Sequence, residues 1–369
     1  MNYELFTHST SSGLDTRHSS LTKKNIFLVN MTKELEHHFS ELAQKGLDKY
    51  LLKSSDGNHQ TSSVAIIVNK KGYSNGLICH KCGHVPQCKK CSVSISYHKI
   101  ASGETIGLCH ICKSQYNLPA SCPECHSHDI KEFGIGTQKV AEYIQKEYNL
   151  PSMIIESETA NSQKKIENLS SIISHLSSAK VFIGTSILTT PPKGIKFDLV
   201  IFLNADLGLN IPDYTAAEKN FYFLYDAFTK YDCQNFIVQS FNPDQYSIRS
   251  ACKLDKSGFY AQDNVFREEN HYPPFSDLCV ILYKNEIEER MFTKVDTLYK
   301  ELLYLKDKYD MPGLEIYSTP PLIYKMFGKY RYNIILKGKD LRNFMDITYT
   351  KLKMASKGFK IDREAESIV

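Results

Sequence analysis

Four Cys-x-x-Cys pairs lie close together in the first third of this sequence, and they are the residues best suited to chemistry. The pairs are Cys79/Cys82, Cys88/Cys91, Cys109/Cys112 and Cys122/Cys125. Two intervening residues allow one tight turn to present both sulfurs to a single tetrahedral zinc ion. Eight thiolates fill two four-cysteine sites and leave no position for a water molecule. The pattern therefore predicts two structural zinc ions per chain, which would fold a segment too small to have a core of its own.

Two other interpretations of these cysteines are open. Four disulfides would need an oxidising compartment, and iron–sulfur ligation is a weaker third option. Several histidines lie nearby, and we expect none of them to be a ligand because the cysteines suffice: His80, His84, His110, His126 and His128. The spacing alone does not determine which pairs share an ion.

The motifs of nucleotide hydrolysis are missing from this sequence. No Gly-x-x-x-x-Gly-Lys-Ser/Thr loop and no Asp-Glu-x-Asp/His box occurs in it. Gly134-Ile135-Gly136-Thr137 and Ile183-Gly184-Thr185 resemble phosphate-binding turns, but they are equally typical of plain strand ends. We assign no catalytic residue, and ATP is a doubtful cofactor for this chain alone.

Composition is that of an ordinary globular protein, with 369 residues, 42% hydrophobic and 23% charged, and a net charge of +4. No stretch has the roughly 20 apolar residues of a membrane span, so we expect no membrane contact. The polar start of the chain lacks the apolar segment of a secretory signal, which predicts a cytoplasmic, reducing location. In that setting Cys233, Cys252 and Cys279 are expected to be buried, small hydrophobic residues.

The rest of the chain reads as alternating strands and helices, which predicts an α/β fold with a mostly parallel sheet. Residues 1–24 look like a flexible arm. Strands are expected at Val64–Val68, 153–155, 181–183, 199–203 and 236–238, with helices near 140–148, 162–176 and 216–228. A boundary before Tyr272-Pro-Pro-Phe275 precedes a small α+β domain.

A basic segment near the end of the chain suggests nucleic-acid binding. Ten basic residues lie between Lys325 and Lys360 against two aspartates, a local charge of +8. Aromatic residues are interleaved with the first of these, as a strand-binding surface requires. The predicted DNA-contacting residues are Lys325, Lys329, Tyr330, Arg331, Tyr332 and Lys337. The alternative is a solvated helix face with tyrosines in the core.

Taken together, these motifs resemble the replication-restart helicases of the primosomal protein N′ (PriA) family. Besides the cysteine segment, the matching stretches are Val68-Asn-Lys-Lys-Gly-Tyr73, Gly134-Ile-Gly-Thr-Gln138, Ile183-Gly-Thr-Ser-Ile-Leu188, Ile211-Pro-Asp-Tyr-Thr-Ala-Ala-Glu218, Tyr272-Pro-Pro-Phe275, Pro320-Pro-Leu-Ile-Tyr324 and Lys329-Tyr-Arg-Tyr-Asn333. The resemblance covers about residues 25–369, corresponding to the C-terminal part of the family.

The resemblance implies a RecA-like second helicase lobe (25–78 and 126–265), interrupted by a zinc-binding insertion (79–125) and followed by a C-terminal DNA-binding domain (266–369). It also implies how the cysteines pair. The outer pairs would hold one zinc through Cys79, Cys82, Cys122 and Cys125. The inner pairs would hold the other through Cys88, Cys91, Cys109 and Cys112. Forked or single-stranded DNA and the replication proteins of the primosome are the partners it implies.

This chain departs from the family where ATP would be used. The family carries two arginines in a Gln-Val-Ala-Gly-Arg-Ala-Gly-Arg motif, and Asp226-Ala-Phe-Thr-Lys-Tyr-Asp232 stands in its place. The family's Lys-Gly after Gly-Thr-Gln-Met is replaced by Thr189-Thr-Pro-Pro192. We therefore expect a DNA-binding restart protein with incomplete ATPase motifs. The alternatives are half of a split 3′-5′ helicase completed by a separately encoded first lobe, or a zinc-ribbon protein adaptor.

Overall fold

A computed structural model gives the fold of the chain. The residues described are 2–11, 21–34, 38–52, 62–68, 76–79, 81–82, 84–90, 95–99, 105–109, 114–133, 136–155, 180–192, 195–206, 208–209, 211–352 and 358–368. They divide into two compact units. The first comprises residues 1–74, 135–210 and 217–260, and the second comprises residues 75–134, 211–216 and 261–369.

The first unit contains a seven-stranded sheet. Its strands are β1 (Tyr3–Ser11), β2 (Leu21–Asn30), β3 (Val64–Ile67), β9 (Ser152–Ile155), β10 (Val181–Gly184), β11 (Leu199–Phe202) and β12 (Asn235–Ser240). The strand order is β1-β2-β12-β11-β3-β10-β9. All pairings are parallel except that of β1 with β2. The predicted α/β fold with a mainly parallel sheet is confirmed.

Both faces of this sheet are covered, which explains the unbroken apolar runs of its central strands. The helices are α1 (Glu41–Leu51), α2 (Thr137–Tyr148), α3 (Ala216–Lys230), α4 (Tyr246–Cys252) and the first residues of α5 (Lys256–Glu269). Residues of α5 from Ala261 onward belong to the second unit. One face packs aliphatic residues of α1 and α2, such as Leu47 and Ile144. The other packs a core rich in phenylalanine that includes Phe221 and Phe228 of α3.

The prediction of a flexible arm over residues 1–24 was wrong for its first part. Strand β1 pairs with β2 in antiparallel register from Tyr3↔Val29 to Ser11↔Leu21. The strand was missed because only Leu5 and Phe6 in it are strongly apolar, and its place depends on backbone pairing with β2. Phe6 is buried in the phenylalanine-rich core. The predicted helix near 162–176 lies outside the described residues.

The second unit contains a mainly antiparallel sheet near the end of the chain. Its strands are β13 (Asp277–Asn285), β14 (Glu315–Thr319), β15 (Lys325–Met326), β16 (Lys329–Gly338) and β17 (Lys360–Asp362). The order is β14-β16-β13-β17, with β15 paired to β16. Helices α6 (Glu288–Lys308) and α7 (Leu341–Leu352) pack with the sheet around a core that includes Leu302, Ile281 and Phe344. The predicted α+β arrangement is therefore present.

A polar cluster packs beside the opposite face of this sheet. The ring of Tyr214 stacks on that of Tyr272 with centroids 4.6 Å apart. The guanidinium of Arg267 lies 5.2 Å from the Tyr214 ring and pairs with the fully buried Asp263 at 2.6 Å. The buried ammonium of Lys337 lies 4.6 Å from the Tyr272 ring. Residues 211–216 are joined to this unit through Tyr214.

The cysteine segment forms two small sheets within the second unit. Strand β4 (Gly76–Cys79) pairs with β8 (Ile130–Phe133), and β5 (Ser96–Lys99), β6 (Thr105–Leu108) and β7 (Gln115–Asn117) form a three-stranded sheet. Among its described residues, five buried ones form its apolar cluster: Leu77, Cys88, Ile95, Tyr97 and Cys109. Residue 107 of this segment is a glycine, and any larger residue would be crowded because its Cβ would lie 2.7 Å from Cγ2 of Ile95.

Cys233, Cys252 and Cys279 are buried, as predicted. Burial raises the pKa of the Cys233 thiol to about 12, which keeps it protonated and unreactive. Among the described residues, no helix is both long and apolar enough to cross a membrane.

Candidate metal centre and nucleic-acid interface

Four of the predicted metal ligands form a cluster. The sulfurs of Cys79, Cys82, Cys122 and Cys125 all lie within 4.8 Å of one another. The Sγ atoms of Cys79 and Cys125 are 3.5 Å apart, and those of Cys82 and Cys122 are 3.6 Å apart. A tetrahedral ion with sulfur bonds of about 2.3 Å needs S–S separations of roughly 3.8 Å. The four residues could therefore hold a metal ion, and their donor set is compatible with zinc.

The two turns that supply these sulfurs close in the same way. The backbone N–H of Cys79 donates to the carbonyl of His84, and that of Cys122 donates to the carbonyl of Ser127, both at 2.9 Å. Each bond spans five residues and folds the Cys-x-x-Cys segment into a loop. His126 accommodates the second loop with a positive φ of 57°. The backbone hydrogen bond within each loop thus holds the two cysteines of the pair close together.

The pKa values of two thiols in the cluster are shifted in opposite directions. Burial acts to raise the pKa of the Cys79 thiol, but donation from the backbone N–H groups of Cys82 and Lys81 outweighs it and lowers the pKa to about 7. At Cys82 the N–H of His84 acts in the lowering direction, yet the neighbouring sulfurs and burial raise the pKa to about 12. Four thiolates this close together repel one another unless a cation neutralises them.

Cys79, Cys82, Cys122 and Cys125 form no disulfide. Sulfur separations of 3.5–3.6 Å exceed the S–S bond length of about 2.05 Å, so the cluster is not a pair of disulfides. Histidines near the cluster have other partners: His128 Nδ1 lies 3.0 Å from the Ala120 carbonyl, and His84 Nδ1 lies 3.9 Å from Glu124.

The second predicted ligand set is described only in part, because Cys91 and Cys112 lie outside the described residues. Cys88 and Cys109 are both buried in the small apolar cluster. The hydroxyl of Tyr116 donates to Cys88 Sγ at 3.0 Å. The N–H of Cys109 donates to the carbonyl of Ser114 at 2.9 Å, which is the same five-residue closure as in the first cluster.

The predicted DNA-contacting residues lie on and beside the hairpin formed by β15 and β16. Lys325 places its ammonium 4.3 Å from the Tyr330 ring, and its Nζ donates to the Tyr330 hydroxyl at 3.1 Å. Lys329 is about half-exposed and lies 3.6 Å from Glu286. Both lysines are partly exposed.

Other members of the predicted set are used inside the unit. Lys337 is only 8% exposed, donates to the Asn270 carbonyl at 2.6 Å and pairs with Glu315 at 3.1 Å. Arg331 donates to the Ile323 carbonyl at 3.2 Å, and burial lowers its pKa. The burial of Lys337 argues against its predicted contact with DNA. Lys337 lies on the face of β16 opposite the helices, beside Tyr272, and this burial could not be inferred from its charge.

The tyrosines of β16 face the helices and pack partly against the core. Tyr332 packs edge-on against Phe292 with centroids 5.2 Å apart, and Tyr330 packs against Tyr324 at 5.7 Å. Lys329 and Arg331 alternate with these tyrosines along β16. Tyr330 and Tyr332 are thus partly used for packing, and they are less available for base stacking than the sequence suggested.

An exposed aromatic residue at the end of this hairpin was not among the predicted contacts. Phe327 is 61% exposed and has a positive φ of 51°, and it is followed by Gly328 with a φ of 81°. Met326 pairs with Lys329, so these two residues form the whole turn. The sequence Phe327-Gly328 between two lysine-containing strands indicated a turn at this place. The exposure of the ring could not be inferred from it.

Comparison with known proteins identifies relatives of this chain. It is 31% identical over 345 residues to a replication restart protein PriA of Borreliella burgdorferi, covering 90% of this chain and 49% of the relative. It is 30% identical over 328 residues to that of Bacillus subtilis, covering 85% and 38%. It is 27% identical over 357 residues to that of Rickettsia conorii, covering 93% and 52%. The chain thus spans about half the length, or less, of these relatives. No protein-family model matches it.

Proposed function

This chain resembles the replication restart protein PriA over nine-tenths of its length, and from that premise we propose that it is a DNA-binding protein of replication restart. The resemblance predicted from the motifs is confirmed by these relatives. The observation that carries the proposal is the extent of the match, which leaves only about a tenth of the chain uncovered. A match of that extent includes the Cys-x-x-Cys segment and residues of the β15–β16 hairpin.

We further propose that the chain binds two zinc ions through its eight paired cysteines. The cluster around Cys79 supports the first site through its sulfur separations and its matching loop closures. The Cys109 loop supports the second site because it closes as the other two loops do. Both sites would be structural, since four thiolates leave no open position on the ion.

For the first unit we propose the role of a RecA-like second helicase lobe. Support comes from its parallel sheet with helices on both faces and from the PriA relatives. We do not assign ATP hydrolysis to it. Cytoplasmic location and contact with primosomal proteins are proposed from the replication role of the relatives.

The DNA surface is proposed to lie on the β15–β16 hairpin. Lys325 and Lys329 supply cations for phosphates, and this kind of contact is independent of base sequence. A protein that meets stalled forks must accept any sequence, so we expect recognition of forked or single-stranded DNA by shape and charge. Arg342 pairs with Asp277 at 3.3 Å, so the segment offers less free charge than its sequence suggests.

The first test is fluorescence anisotropy of the zinc-loaded chain with forked, single-stranded and duplex DNA at two salt concentrations. We expect salt-sensitive binding with a preference for the fork or the single strand. Lys329→Ala should weaken binding to all sequences and reduce the magnitude of the salt slope by about 0.7–0.9. Lys300→Ala is the matched control, because Lys300 is exposed on α6 and paired with Asp296 at 2.7 Å.

Two results would contradict the proposal. Absence of binding to all three DNAs would exclude a DNA-binding role and favour the zinc-ribbon protein adaptor. Equal effects of the Lys329 and Lys300 substitutions would show that the hairpin is not the contact surface.

A further inference from the structure

The end of the β15–β16 hairpin has an unusual residue for its backbone geometry. Both residues of this two-residue turn have positive φ, 51° at Phe327 and 81° at Gly328. Turns of this kind strongly prefer Asn-Gly or Asp-Gly, because a bulky side chain is strained at the first position. Phe327 nevertheless occupies this first position, and it is 61% exposed. Neither backbone preference nor core packing explains a phenylalanine here.

The turn is fixed in place by the cysteine segment of the same unit. The N–H of Gly328 donates to the carbonyl of Lys90 at 3.1 Å. Met326, which precedes the turn, packs against the apolar cluster that contains Cys88 and Cys109. Lys90 lies between the two cysteines of the Cys88/Cys91 pair. The aromatic ring is thus carried by a turn that is hydrogen-bonded to a proposed zinc-binding loop.

Exposed cations lie on both sides of this junction. Lys89 and Lys90 are exposed on the cysteine side, and Lys329 is about half-exposed on the hairpin side. The backbone of Lys89 is held by the Tyr116 hydroxyl, which accepts its N–H at 3.1 Å. The Lys329 ammonium lies 3.6 Å from the exposed carboxylate of Glu286. An exposed ring between cations is the arrangement that proteins use to stack an unpaired base and hold its phosphates.

We propose that Phe327, together with Lys89, Lys90 and Lys329, forms a composite site that stacks one unpaired base of single-stranded DNA. The site joins the cysteine segment and the C-terminal sheet into one surface. This inference rests on the proposed DNA-binding function and adds to it the residue that makes the stacking contact. Duplex DNA is a poorer ligand for it, because its bases are already stacked within the helix.

The absence of tryptophan from the sequence allows a direct test. The Phe327→Trp variant carries the sole tryptophan of the chain at the turn, and stacking on a base quenches indole emission. We expect strong quenching on titration with an oligothymidylate and little with duplex of the same length. Tyr304→Trp is the control, since Tyr304 is 63% exposed on α6 of the same unit, and its emission should not change.

A second variant separates binding from folding. Phe327→Asn gives the turn its preferred Asn-Gly sequence, so the protein should unfold at the same or a higher denaturant concentration. Its affinity for single-stranded DNA should nevertheless fall about tenfold, the loss expected for one stacked base. The salt slope should stay unchanged, because no charge is removed.

The outcomes distinguish this inference from the function on which it rests. Failure of the wild-type chain to bind any DNA overturns both. Wild-type binding with no quenching in the Phe327→Trp variant and undiminished affinity of Phe327→Asn overturns the stacking site alone. Equal loss of affinity for single-stranded and duplex DNA also overturns it, because a stacking contact discriminates between them.

Discussion

The first unit and the cysteine segment of the second unit are stabilised by different kinds of contact. The first unit buries two apolar clusters on the faces of one parallel sheet. The cysteine segment buries five described residues in its main cluster, and two of them are cysteines. Burying apolar side chains stabilises the first unit throughout its sheet. In the cysteine segment, the zinc sites that we propose would supply the stabilising contacts through a few sulfur atoms.

The two regions should therefore differ in their sensitivity to substitution. A large apolar core tolerates the loss of one contact at a graded cost, whereas a metal-dependent fold is lost when one ligand is removed. The DNA surface we propose lies in the second unit, beside the vulnerable segment. Stability and function are therefore expected to respond separately to substitutions in the two units.

The largest effect is expected from a ligand substitution. Cys79→Ser should release one zinc ion per chain and unfold residues 76–133, because structural zinc contributes about 10–16 kcal/mol to small domains that depend on it. Metal analysis and amide hydrogen exchange would detect the change, and β3, β10 and β11 should keep their protection. Cys252→Ala is the control, since this buried cysteine lies in the first unit and should leave the zinc content unchanged. Two zinc ions retained by Cys79→Ser would refute the ligand assignment.

A smaller loss is expected from a core substitution in the first unit. Phe228 is fully buried against Phe202 and Phe236, and its replacement by alanine should lower the free energy of unfolding by about 3–5 kcal/mol. Urea titration monitored by circular dichroism would measure it, and the zinc content should not change. Phe241→Ala removes a ring that is 45% exposed and should cost far less. Equal losses for the two variants would mean that the phenylalanine-rich core does not determine stability.

The smallest effect concerns the acid sensitivity of the second unit. Burial acts to raise the pKa of Glu315, but hydrogen bonds from His271 and Lys337 outweigh it and hold the pKa below the ordinary value of 4.5. Glu315 therefore contributes stability above about pH 4.5, and this contribution is lost as the pH falls through its lowered pKa. Glu315→Gln should be less stable than wild type at neutral pH, with the difference shrinking at acid pH. Thermal unfolding at several pH values would measure this. A difference that does not vary with pH would show that the carboxylate charge is not the source.

The sequence predicted the parallel sheet because buried central strands are continuous apolar runs, such as Val64–Ile67. Spacing predicted that each Cys-x-x-Cys pair binds one ion, because the turn between the two cysteines is local. The resemblance, and not the spacing, implied that Cys79, Cys82, Cys122 and Cys125 come together. The prediction failed at β1, whose pairing with β2 depends on backbone groups that composition does not report. It also placed Lys337 among the DNA contacts, because residue type alone does not report that this lysine is buried and donates to the Asn270 carbonyl. Phe327 was missed for the converse reason, because exposure of an aromatic ring depends on the turn that carries it.

The pairing of β1 with β2 has a consequence during synthesis. Strand β2 pairs in parallel with β12, and the partners Asn25 and Asn235 are 210 residues apart. At about 5–20 residues per second, a ribosome needs roughly 10–40 s to deliver the second partner. Throughout that interval Ile26 and Leu28 of β2 lack the neighbours that later bury them. Strand β1 emerges first and can pair with β2 at once, so only one edge of β2 stays open to another nascent chain until β12 is made.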